Sequence, residues 1–153
     1  MVNQIAPQIL LVFNDENQIG NIDELPDILC RKGHSYNIAV GREQALARIR
    51  SVDYRAVCIS SSELDLGSIR MPPQKYLREA GYHPGDLGGY LTRNASALEV
   101  ASAARKRNLG VVVIDEDDNP IVTSSFIDLG ANPLSFWTFN AHDIYDELAR
   151  FLG

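Results

Sequence analysis

The chain has 153 residues and a formal net charge of −6, with 45% hydrophobic and 22% charged residues. This composition is that of a globular domain with a full hydrophobic core, and it excludes a disordered or fibrous protein. The negative charge argues against a nucleic-acid-binding face, because such a face needs clustered Lys and Arg to neutralise phosphates. No apolar run is long enough to span a membrane, and the first residues lack a signal pattern. We therefore expect a cytoplasmic domain with neither a membrane nor a nucleic-acid partner.

Apolar stretches and helical patterns alternate along the chain. Short apolar runs that end at polar loops predict strands buried on both faces, and segments with apolar residues at helical spacing predict helices between them. The predicted strands cover residues 8–13, 35–40, 56–60, 109–114 and 134–139. The predicted helices cover residues 22–32, 41–52, 95–108, 124–129 and 141–152, with a further short helix near 74–80. This alternation predicts a doubly wound, flavodoxin-like α/β domain with a five-stranded parallel sheet.

The alternation is interrupted after the third strand by a segment rich in Pro and Gly. The stretch from Ser60 to Val111 is 51 positions long, whereas a whole βαβ unit commonly takes about 30 residues. A long segment of this kind inside a compact domain is usually functional or mobile. It could act as a lid, as a partner-binding arm or as padding. We therefore predict one domain over residues 1–153 with an insertion at about 61–93.

Two cysteines, Cys30 and Cys58, lie in apolar stretches and lack the spacing of a metal or redox motif. We expect both to be buried free thiols, as in a reducing compartment. The sequence has no glycine-rich phosphate loop and no GxGxxG pattern, and its three histidines are not at ligand spacing. The expectation is therefore that the domain carries no cofactor.

Several local patterns resemble the receiver domains of two-component response regulators. Residues 13–16, which follow the first strand, resemble the acidic corner of that family with its first Asp replaced by Asn14. In the family, a Gly followed by Tyr or His leads into the second strand, and a Gly-x-Glu-Ala-Leu pattern follows that strand. This chain resembles that order with Gly33-His34, its second strand and residues 41–46. Further matches stand beside the third and fifth strands, at Tyr54, Gly130, Ala131, Asn132 and Phe139. The resemblance implies a CheY-like fold for nearly the whole chain outside the insertion.

The phosphorylation chemistry of that family needs an Asp acceptor, a divalent cation held by an acidic pair, and a lysine that stabilises the developing charge. The resemblance places the acceptor at Ser60, which is a poor nucleophile without an adjacent base. It places the lysine at Trp137, and no lysine follows Lys106. Where the family has Ser or Thr after the fourth strand, the chain has Asp115, which would repel a phosphoryl group. The vestigial site would comprise Asn14, Asp15, Ser60, Asp115 and Trp137. The resemblance thus implies a degenerate receiver, or pseudo-receiver.

The acidic residues Asp15, Glu16 and Asp115 leave a second interpretation open. They should project from the carboxyl ends of neighbouring strands, where open α/β sheets place their ligand sites, and their oxygens could hold Mg²⁺ or Ca²⁺. The simpler interpretation, which we favour, is a solvated turn and helix-capping residues. The alternative function is therefore a flavodoxin-like domain that binds a small ligand or a divalent metal. An enzyme is not expected, because no nucleophile–base pair is evident.

Four aromatic residues in the C-terminal part are candidates for a partner surface: Phe126, Trp137, Phe139 and Tyr145. The resemblance implies that this region, from the fourth helix to the fifth, is used for dimer or partner contacts. Large aromatic side chains often anchor interfaces, although they equally often form the core. A rival surface is the insertion near Tyr76 and Tyr82. We expect a non-phosphorylatable module of signal transduction or transcription regulation that acts through protein–protein interaction, with a protein partner or as a homodimer.

Overall fold

A computed structural model describes residues 8–13, 24–60, 96–115, 120–135 and 140–152. The described strands are Ile9–Phe13 (β1), Tyr36–Val40 (β2), Ala56–Ser60 (β3), Gly110–Asp115 (β4) and Asn132–Ser135 (β5). The described helices are Glu24–Arg31 (α1), Gly41–Ser51 (α2), residues 96–106 (α3), Pro120–Asp128 (α4) and Ala141–Ala149 (α5). None of these helices is long and apolar enough to cross a membrane. The insertion predicted at about 61–93 lies outside the described residues.

The five strands form one parallel sheet in the order β2-β1-β3-β4-β5. This arrangement confirms the predicted doubly wound α/β fold. The chain runs outward from β1 to β2 and then crosses to β3 on the other side of β1. The strand order therefore reverses between β1 and β3, and the carboxyl ends of these two strands flank the crevice where sheets of this kind bind ligands.

The alternation of side chains along each strand divides the core into two layers. Leu10 and Val12 of β1 pack beneath α2, α3 and α4, whereas Ile9, Leu11 and Phe13 pack beneath α1 and α5. All five side chains are at most 1% exposed, and full burial of a Leu, Ile, Val or Phe side chain stabilises a fold by about 1.5–3 kcal/mol. The fully buried residues of α3 include the small residues Ala97, Ala101 and Ala104. Their size lets this helix approach the sheet closely.

Three helices end with the same reversal of the chain. A residue in the left-handed region follows each of α1, α3 and α4: Gly33 at φ 79°, Asn108 at φ 60° and Gly130 at φ 84°. In each case the next amide donates to the carbonyl five positions earlier, at 2.9–3.1 Å, which satisfies a carbonyl that the helix leaves free. The ends of helices predicted at Gly33 and Gly130 are thereby confirmed. Each reversal leads the chain back to the amino end of the sheet, where the next strand begins.

Two of the predicted boundaries that differ from the structure lie at prolines. Helix α4 begins at Pro120 rather than at residue 124, because a proline at the first helical position gives up no hydrogen bond. Strand β5 begins at Asn132 and includes Pro133, because β5 is an edge strand and can lack one N–H donor. The predicted continuation of this strand to residue 139 falls on residues 136–139, which lie outside the described residues.

The two cysteines differ in exposure. Cys58 is buried within β3, as predicted, whereas Cys30 is exposed on α1, which corrects the prediction that both thiols are buried. The apolar stretch around Cys30 is one face of an amphipathic helix that buries Leu25, Ile28 and Leu29. Position 30 falls outside that face, so the local apolar composition was misleading.

Candidate functional site

The carboxyl ends of β3 and β4 bring Ser60 and Asp115 to the same edge of the sheet. Ser60 is in register with Ile114, so it lies one position before Asp115, and Asp115 is in register with Ser135 at the end of β5. Neighbouring strands of a sheet lie about 4.8 Å apart. Ser60 and Asp115, two residues of the predicted site, therefore lie on neighbouring strands at the same edge of the sheet.

Ser60, where the resemblance places the acceptor, is only 4% exposed. It is the last residue of β3 and, by strand alternation, shares the sheet face of Ala56 and Cys58, which pack beneath α1 and α5. A serine hydroxyl needs a neighbouring base to become a nucleophile, and a phosphodonor needs access to it. Ser60 therefore has no carboxylate, and its side chain is buried.

The other predicted site positions lie in segments that directly follow strands. Residues 14–16 come after β1, and residues 136–139 come after β5; both segments are outside the described residues. They contain Asn14, Asp15, Glu16, Trp137 and Phe139. Within the described ranges, no group of three His, Cys, Asp or Glu side chains is arranged to hold a metal ion. The metal interpretation depends on Asp15 and Glu16, so it stays a prediction.

Phe126, a predicted interface residue, belongs to the core. Its ring is fully buried beneath α4 in the same cluster as Val122. Because α4 begins at Pro120, these two residues at i and i+4 face the sheet, and Ile127 is the exposed neighbour. This corrects the prediction, since a ring without accessible surface cannot contact a partner. The predicted helix over 124–129 is too short to show a buried side, whereas the observed helix from Pro120 adds Val122 on the same side as Phe126.

Tyr145 is half-buried where α5 meets the turn that follows α1. Its hydroxyl oxygen lies 3.0 Å from Nε2 of His34, and the two ring centroids are 5.8 Å apart. Nδ1 of His34 lies 3.1 Å from Oε1 of Gln8, and Nζ of Lys32 lies 6.0 Å from the centroid of the Tyr145 ring. An amide oxygen only accepts, so in the neutral imidazole Nδ1 donates to Gln8 and Nε2 accepts from the tyrosine hydroxyl. This chain of hydrogen bonds joins the starts of β1 and β2 to α5.

Sequence reasoning missed the contact between His34 and Tyr145. The two residues are 111 positions apart, and no local pattern links them. The contact exists because α1 and α5 pack on the same face of the sheet. It also lies at the amino end of the sheet, opposite to the edge that carries Ser60.

No family model and no curated protein matches the sequence, whereas its structure is similar to solved receiver domains. A CheY-like response regulator receiver domain protein from Methanospirillum hungatei has a TM-score of 0.60 at 16% identity, covering 95% of this chain and 93% of that chain. A two-component response regulator from Clostridium difficile has a TM-score of 0.62 at 15% identity, covering 95% of each chain. The chemotaxis protein CheY4 of Vibrio cholerae has a TM-score of 0.58 at 15% identity, covering 96% of this chain and 99% of that chain. The chain therefore has the CheY-like fold of response regulator receiver domains, as the resemblance implied.

Proposed function

We propose that this chain is a receiver-like signalling module that is not phosphorylated and acts through protein–protein interaction. The observation that carries the proposal is the identity and burial of Ser60, which ends β3, where the resemblance places the acceptor, and is 4% exposed. Without a carboxylate there, the chain cannot form the acyl phosphate on which receiver switching depends. In this proposal the domain is a cytoplasmic pseudo-receiver without enzymatic activity, in signal transduction or transcription regulation.

The residues around the acceptor position support the same conclusion. Phosphoryl transfer needs cations that neutralise the developing charge on the equatorial oxygens. No lysine follows Lys106 in the sequence, and the family's lysine position corresponds to Trp137. Asp115 ends β4, where the resemblance implies a Ser or Thr, and a carboxylate at that position would repel a phosphoryl group. An aspartate introduced at Ser60 alone would therefore still lack its electrostatic partners.

The test is an intact-mass measurement after incubation of the full chain with acetyl phosphate and Mg²⁺. We expect an unchanged mass, while a receiver domain with an intact acceptor aspartate, treated in parallel, gains one phosphoryl group of about 80 Da. A stoichiometric adduct of that mass on the native chain would contradict the proposal. Peptide mapping would then locate the modified residue.

For the protein contact, we propose the edge formed by α4, β5 and α5, with Trp137 and Phe139 as its aromatic candidates. Ile127 on α4 is 57% exposed, which supports an apolar contribution from this edge. The predicted candidate Tyr145 lies on the other side of α5, against His34, whereas Glu147 is the residue of α5 that contacts Asn132 of β5. Sedimentation velocity of Ile127→Ala and Trp137→Ala tests the edge, and we expect association to weaken in both while Tyr145→Ala leaves it unchanged. Loss of association only in Tyr76→Ala or Tyr82→Ala would transfer the interface to the insertion.

A further inference from the structure

The charged side chains of the described residues are separated along the direction of the strands. Nine of the ten described cations lie in the last turn of a helix or between a helix and the next strand, with Arg42 as the exception. They are Arg31, Lys32, Arg48, Arg50, Arg55, Arg105, Lys106, Arg107 and Arg150. Helices in this fold run antiparallel to the strands, so all of these positions lie at the amino end of the sheet. We refer to this group of nine cations as the basic end.

Few carboxylates balance the basic end. In the part of the chain that the structure describes, four acidic residues occupy the same positions relative to the helices: Asp53, Asp128, Asp146 and Glu147. The described residues contain ten acidic and ten basic residues in all, so the net charge of −6 comes from the remainder of the chain. The overall charge therefore conceals a strongly cationic surface at one end of the sheet.

Some of these cations are already held by acceptors of the chain itself. Arg107 contacts the carboxylate of Asp53 at 2.6 Å, and Arg150 contacts that of Glu147 at 3.3 Å. Other cations are exposed and have no hydrogen-bond or ion-pair partner among the described residues: Lys32, Arg48, Arg50 and Lys106. These free cations can pair with an external anion without breaking an existing ion pair.

The helix dipole favours cations at helix C-termini, and this effect accounts for part of the pattern. It does not account for Arg55, which lies between α2 and β3. The helix dipole also does not explain why the ends of two helices lie together. Arg107 at the end of α3 donates to the carbonyl of Ile49 near the end of α2. The cations of α2 and α3 thus share one surface, where their like charges raise the local positive potential.

An exposed aromatic ring lies at the same end of the sheet. Phe151 is 39% exposed, and its ring covers Gly110 at the start of β4, where a Cβ atom would overlap it. Arg150 precedes it in the chain, and Nη1 of Arg55 donates to the carbonyl oxygen of Leu152 at 3.2 Å. Two cationic residues, Arg150 and Arg55, thus lie next to Phe151 in the chain or contact the residue that follows it. This arrangement suits a ligand that presents an apolar side chain among carboxylates.

We propose that the basic end binds an acidic segment of a partner protein, one that carries an apolar residue between its carboxylates. This inference goes beyond the proposed function and concerns the end of the sheet opposite to Ser60. A nucleic acid fits less well, because the chain as a whole carries a net charge of −6, which opposes the binding of an extended polyanion. A short acidic segment contacts the cations and the Phe151 ring alone.

The test uses the full chain and a short fluorescein-labelled peptide of alternating glutamate and leucine, with binding followed by fluorescence anisotropy. We expect salt-sensitive binding that weakens about tenfold or more in the combined Arg48→Glu, Arg50→Glu and Lys106→Glu variant, because three surface ion pairs are each replaced by repulsion. The matched control is a combined variant with Arg70→Glu, Lys75→Glu and Arg78→Glu. It makes the same change of net charge at residues outside the described ranges. Phe151→Ala should weaken binding without any change of charge. Circular dichroism melting checks that every variant is folded, and glutamine substitutions replace glutamate if the charge reversals unfold the chain.

Loss of binding in the first variant, with retention in the matched control, supports the proposal. Equal loss in both variants, or no binding of the peptide to the native chain, overturns it and leaves the cations as helix-end residues only. Tighter binding of a single-stranded oligonucleotide or of phosphatidylserine vesicles than of the peptide also overturns it. In those cases the basic end would serve a nucleic acid or a membrane surface.

Discussion

The hydroxyl oxygen of Tyr145 and Nε2 of His34 lie 3.0 Å apart, across 111 positions of sequence. This contact joins α5 to the turn between α1 and β2, and Gln8 extends it to the start of β1. Three separate segments of the chain are thereby tied together at the amino end of the sheet. The stability of α5 should depend on this small polar group as well as on its buried residues.

Replacement of Tyr145 by phenylalanine should lower the free energy of unfolding by about 1 kcal/mol, because the buried side of the ring is kept while one hydrogen bond is lost. Urea unfolding gives this value. In a His34→Ala background the same substitution should have little effect, since the partner is already absent. An equal loss in both backgrounds would show that the hydroxyl acts through another contact.

Replacement of Ser60 by aspartate should destabilise the fold at pH 7 by about 2 kcal/mol more than replacement by asparagine, which has a similar shape and no charge. The site is buried, and burial raises the pKa of a carboxyl group. The penalty should therefore be relieved as the pH falls below that raised pKa, where the carboxyl is neutral. Urea unfolding of the two variants across the acidic range checks this. A difference that is independent of pH would contradict it.

Replacement of Gly110 by alanine should destabilise the native chain by about 1–2 kcal/mol, because the new Cβ overlaps the ring of Phe151 and forces it to move. In a Phe151→Ala background the cost should largely disappear. Thermal or urea unfolding of the four proteins completes this double-mutant cycle. If both backgrounds lose the same stability, the strain lies in the backbone of β4 rather than at the ring.

The two thiols should react at very different rates with a thiol reagent. Cys30 is exposed, whereas Cys58 is fully buried. Burial raises the pKa of the Cys58 thiol to about 12, so its thiolate, which is the reactive form, is scarce near neutral pH. Spectrophotometric titration should show one thiol in the native chain and two in denaturant. Two rapidly reacting native thiols would contradict the burial of Cys58.

Stability should fall as the pH rises above the ordinary thiol pKa. The unfolded Cys58 thiol loses its proton near pH 9, whereas the folded thiol retains it until about pH 12. Between these values the unfolded state binds fewer protons, so the free energy of unfolding should decrease by about 1 kcal/mol per pH unit. Urea unfolding between pH 8 and pH 10 measures the slope. A Cys58→Ala variant should show a shallower slope, and an unchanged slope would assign the effect to other groups.

The sequence determined the elements of the fold, because their signals are local. An apolar run such as residues 56–60 must be a strand buried on both faces, and the structure has β3 at Ala56–Ser60. Glycines after helices, at Gly33 and Gly130, adopt a left-handed conformation that ends the helix. The order of the elements then restricts the sheet to few topologies. That a serine, Ser60, ends this strand was also readable, since it depends only on the position of one residue.

Only the tertiary structure decided which side chains meet. Periodicity does not reveal that Phe126 is buried, because the predicted helix over 124–129 is too short to define a buried side. Nor does it reveal that His34 contacts Tyr145, or that cations from separate helices gather at one end of the sheet. Composition gave a net charge of −6 and argued against a nucleic-acid-binding face, but net charge is a sum over the chain. Where charges lie relative to one another depends on long-range reversals of the backbone, and these are set by the packing of helices against the sheet.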